Sequence, residues 1–64
     1  MSRSQYRVEF VDMAGQVDSA GNPPTYEKAL ALIDLTWRDG EASNGLREAR
    51  VYFRGRLQET YSRA

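Results

Sequence analysis

The chain contains no cysteine and no histidine. The first absence excludes disulfides, and the two together remove the usual ligands of zinc, copper and iron. Losing histidine also removes the side chain most used for proton transfer at neutral pH. Lysine is nearly absent: eight of the nine bases are arginine, and only Lys28 is lysine. No run of about 18 apolar residues occurs, so no segment is expected to span a membrane. The opening Met1-Ser2-Arg3-Ser4-Gln5-Tyr6 lacks an apolar core and does not read as a secretory signal. Together these features lead to the expectation of a cytoplasmic protein without cofactor or metal.

What is present suits one small domain over residues 1–64. A chain of this length buries only about 60% of the surface its unfolded form exposes, so its core is small. Without cross-links or metal, a partner chain is the remaining external source of stability, which points to self-association. The formal net charge is zero but unevenly placed. Residues 1–45 carry seven acids and four bases, a balance of −3, whereas residues 46–64 carry two acids and five arginines, a balance of +3.

The patterning predicts an α+β fold, a small antiparallel sheet packed on one amphipathic helix in the chain order ββαββ. Residues 1–5 are polar and expected to fray. Tyr6, Val8 and Phe10 alternate with Arg7 and Glu9, the period of a half-buried strand, while Val11 places an apolar group on the outer face. Residues 16–20 are expected to return as a short second strand. Residues 21–24 form a loop, because Pro23 and Pro24 lack donors and disfavour helix before them. Thr25 is the expected N-cap of a helix over 25–39, with Glu27 in its first turn and Gly40 as a left-handed terminator.

At 100° per residue, Tyr26, Ala29, Leu30, Ile33 and Trp37 share one arc and are expected to face the sheet. Leu32 and Leu35 then fall outside it. Residues 40–45 are a polar loop. For residues 46–62 two readings compete. Leu46, Ala49, Phe53, Leu57 and Tyr61 fit one face of a C-terminal helix. A hairpin turning at Gly55 is favoured, because Val51-Tyr52-Phe53 prefers strand and glycine weakens a helix interior. A regular hairpin with a two-residue turn sets Arg50 opposite Glu59 and puts Tyr52, Leu57 and Tyr61 on the face away from Val51.

No constellation in this sequence predicts catalysis, and the chain is expected not to be an enzyme. Glu27 and Asp34 are two helical turns apart and read as a solvated face. Lys28 has no evident apolar pocket, the serines and threonines have no histidine base, and the glycines match no phosphate-binding spacing. Asp12 and Asp18 lack the ligand spacing of a calcium loop.

Binding is the chemistry that remains. Leu32 and Leu35 on the back of the helix, and Arg50, Tyr52, Arg54, Leu57 and Tyr61 on the outer sheet face, are the expected protein interface. Aromatics and arginine are the residue types enriched there. The expected function is a small protein-interaction module, an adaptor or inhibitor, with another protein as partner and a homodimer among its forms. In length, lack of cysteine and absence of catalytic groups the chain resembles small bacteriophage-encoded inhibitors of host proteins, a likeness of profile that assigns no residue. The alternative is nucleic-acid binding through Arg47, Arg50, Tyr52, Arg54 and Arg56, where aromatics stack bases and arginines hold phosphates. The neutral total charge and a pI near 6.2 weigh against it.

Overall fold

The computed structural model describes residues 5–63. Among them are four strands and one helix: β1 (Tyr6–Asp12), β2 (Val17–Gly21), α1 (Tyr26–Arg38), β3 (Leu46–Phe53) and β4 (Arg56–Ser62). The expected α+β class and the chain order ββαββ are both present, and the C-terminal segment is the hairpin rather than the helix. In space the strands run β2-β1-β3-β4, with every neighbouring pair antiparallel. Strands β2 and β3 flank β1 and are therefore parallel to each other, joined by α1 crossing back over β1. Residues 1–4 of the segment expected to fray lie outside the described residues. Gln5 is held: its carbonyl accepts from the Arg54 amide at 2.8 Å and its Oε1 from Arg54 Nε at 2.7 Å.

The helix begins as its sequence dictates. Thr25 is extended, and its hydroxyl accepts from the Lys28 amide at 3.1 Å, satisfying a donor that has no partner within the helix. Its C-terminus departs from expectation. Gly40 is not left-handed. Instead Asp39 is extended, its amide bonds to Leu35 and Thr36 carbonyls, and its Oδ1 accepts from the Glu41 and Ala42 amides. The aspartate side chain organises the exit turn itself, so no glycine cap is needed.

The buried cluster joins Val8, Phe10, Ala29, Ile33, Leu46, Ala49 and Val51, with Tyr6, Leu32, Trp37 and Tyr61 packed partly buried against it. The helix is rotated from its predicted orientation. Leu30, expected inside, is 37% exposed, whereas Leu32 turns inward. Gly21 explains the rotation: it lies opposite Val8 on the helix side of β2, and a Cβ there would stand 3.3 Å from Leu32 Cδ2. The missing side chain leaves the hollow that Leu32 fills. Leu35 remains outside, 65% exposed.

Three bulges decide which face each strand residue takes. Asp18, Arg47 and Gln58 are each the extra residue where the pairing slips against the neighbouring strand. An extra residue reverses the alternation beyond it. Arg47 thereby lets Leu46 enter the core below α1. Gln58 overturns the predicted register of the second hairpin: Arg50 pairs with Thr60 and Val51 with Glu59, so the Arg50–Glu59 pair is not formed. Tyr61 lies opposite Ala49 on the helix side, not beside Tyr52 and Leu57 on the outer face. The turn itself has the two residues expected, Arg54 and Gly55, both at positive φ (52° and 81°). That geometry matches the twist of the strands it joins.

Candidate interaction surfaces

The outer sheet face is closed on itself electrostatically. Arg7 Nε donates to Glu9 at 3.0 Å, and Arg50 Nε donates to Glu48 at 2.6 Å. Hydrogen bonds to Glu48 and then Tyr52 raise the Arg50 pKa, so the guanidinium is committed to its own sheet. Val11 is buried on this side, paired with Val17 on β2 and Glu48 on β3. Leu57 is exposed beside Tyr52. Of the expected interface residues, Arg50, Tyr52 and Leu57 therefore share one face. Arg54 sits at the hairpin tip, its guanidinium 5.3 Å from the Phe53 ring centre. Leu32 and Tyr61 are on the opposite side of the sheet, and Leu35 stands by itself on the helix back.

The arginines of the nucleic-acid alternative are similarly divided. Arg50 is on the outer face, Arg56 pairs with Phe53 on the helix side, Arg54 is bonded to Gln5, and Arg47 is at the far end of β3. They form no single basic stripe.

A concave surface appears where sequence reasoning did not look. At the C-terminal end of α1, Met13, Trp37, Leu46, Arg47 and Arg63 line a cleft of about 420 Å³. A specific contact or turn places each residue. The β1–β2 turn carries Met13, and Asp12 Oδ1 braces it by accepting from the Ala14 and Gln16 amides at 2.9 Å each. Met13 is 69% exposed. Trp37 is fixed edge-on against Phe10, ring centres 5.6 Å apart. The bulge presents Arg47, whose Nε is 3.6 Å from Glu48, and the Arg47 carbonyl accepts the Arg63 amide at 3.0 Å, bringing Arg63 to the rim. Met13 and Arg63 belong to separate ends of the chain and carry no local signal of this meeting.

At the opposite end of the sheet, Tyr6, Tyr26, Phe53, Gln58 and Glu59 line a smaller cleft of about 270 Å³. Tyr26 and Tyr61 hydroxyls share a hydrogen bond of 2.8 Å.

Among the described residues, no group of three or more aspartates and glutamates gathers as a metal site, and no helix is long and apolar enough to cross a membrane. No family model, curated protein or solved structure matches the chain.

Proposed function

We propose that this chain is a non-catalytic protein-interaction module whose partner seats an apolar side chain in the Trp37 cleft. One observation carries the reading: a tryptophan, an exposed methionine and two arginines converge on a single concavity. These are the residue types that concentrate binding energy at protein interfaces. The volume falls within the range of about 300–1,000 Å³ typical of ligand pockets. Trp37 is held by Phe10 before any partner arrives, so little side-chain freedom is lost on binding. Self-association through the helix back has less support, because Leu32 faces the core and Leu35 alone offers far less than the roughly 800 Å² per partner of a standard interface. Nucleic-acid binding has less support because the arginines are dispersed and two are bonded to side chains of this chain.

The test compares affinity capture by the native protein with capture by Met13→Glu and Arg63→Glu, each checked for folding by circular dichroism. Capture of a protein that both variants lose, while retention on single-stranded DNA stays negligible, is the expected result. Identical capture by all three proteins would remove the cleft from the reading, and salt-sensitive retention on DNA would replace it.

A further inference from the structure

The smaller cleft has a different chemistry and stands apart from the proposed partner surface. Tyr6 pairs with Phe53 across β1 and β3, ring centres 4.8 Å apart and planes at 43°. Tyr26, from the first turn of α1, leans over Tyr6 at 6.1 Å and 46°. The hydrogen bond to Tyr61 limits the freedom of the Tyr26 ring. Glu59 lies opposite Val51, so its carboxylate rises on the side of the sheet that carries these rings. Among the described residues it makes no ion pair within 4.0 Å. Three ring systems and one unneutralised carboxylate thus share a hollow of about 270 Å³.

We propose that this hollow binds an alkylammonium group, with Tyr6, Tyr26 and Phe53 as aromatic walls and Glu59 as counter-charge. Ring faces carry negative potential and attract cations, most strongly those that are weakly hydrated. The Phe53 ring already has one over it, since the Arg54 guanidinium lies 5.3 Å from its centre while donating to Gln5 Oε1. The hollow is below the volume of common drug-sized sites, which suits a compact head group rather than an extended ligand. Among the described residues, Arg56, opposite Phe53 on the same face, is a second cation placed to compete, beside Arg54.

The test uses choline, a Gly-Lys-Gly peptide and the uncharged carbon isostere of choline, followed by two-dimensional NMR on the full chain. Choline or the peptide is expected to shift the Gln58 and Glu59 amides and the Tyr6, Tyr26 and Phe53 ring protons, leaving Trp37 unmoved at the other end of the sheet. Binding of choline alone assigns the site to quaternary amines, and binding of the peptide alone assigns it to a lysine side chain. Glu59→Gln is expected to weaken binding about threefold, as for the loss of an exposed charge pair, and Arg56→Gln to strengthen it. Both positions are exposed, so the fold tolerates the changes. Equal affinity for the uncharged isostere would overturn the proposal, as would the absence of shifts with both cations at millimolar concentrations.

Discussion

The Tyr26–Tyr61 contact shows how one hydrogen bond couples distant parts of the chain to pH. The Tyr26 hydroxyl, and secondarily burial, push the Tyr61 phenol from 10.0 up to about 12. The folded chain therefore holds this proton more tightly than the unfolded chain, where tyrosine titrates at about 10. The resulting stabilisation is complete below about pH 10 and is lost as pH rises through about 12. Urea melts are expected to show stability falling across that window, and Tyr26→Phe to make the fall shallower. An unchanged slope in the variant would mean that the hydroxyl pair does not form. This contact was not legible in the sequence, where regular alternation sends Tyr61 to the other face. Ser43 is a second residue of note, fully buried with its hydroxyl unpartnered among the described residues. A buried hydroxyl without a partner opposes folding.

At the scale of elements, local chemistry was largely readable. Thr25 caps α1, Pro23 and Pro24 precede it, and Arg54-Gly55 turns the last hairpin. Each of these acts over a few residues, so each leaves a local trace. Thr25→Ala is expected to lower stability by about 1 kcal/mol, the typical loss for a cap of this kind. Thr25→Ser should restore most of it, and chemical denaturation with both variants checks the pair. No loss in the alanine variant would show that another group satisfies the Lys28 amide. The bulges were not readable. Asp18, Arg47 and Gln58 resemble their neighbours in composition, and each extra residue is accommodated by bending its strand. Their effect is nevertheless large, because a single insertion exchanges the two faces for every residue that follows.

For the molecule as a whole, the placement of exposed groups decides what its surfaces can meet. A four-stranded sheet with one helix leaves the outer face uncovered, and that face is furnished with paired charges. Trp37 and Met13 gather at one end of the helix-covered side and Tyr6, Tyr26 and Phe53 at the other, while Val17 and Leu57 are exposed on the outer face. Leu35, on the helix back, lies outside both clefts, and its position predicts a null result. Leu35→Glu is expected to leave the solution mass unchanged and stability within about 0.5 kcal/mol, as for an exposed surface site. A mass that falls in the variant, measured by light scattering over a range of concentrations, would restore the helix back as a self-association surface. The amino-acid sequence by itself determined the first strand, the helix with its Thr25 cap and the poverty of catalytic groups, and it favoured the hairpin over a helix for 46–62, because these depend on residue type and near neighbours. Only the tertiary structure decided which side of α1 is buried, which way Tyr61 points and which residues share a cleft. Those outcomes depend on strand register and on pairs such as Gly21 with Leu32 or Tyr26 with Tyr61, whose members meet only after the chain has folded.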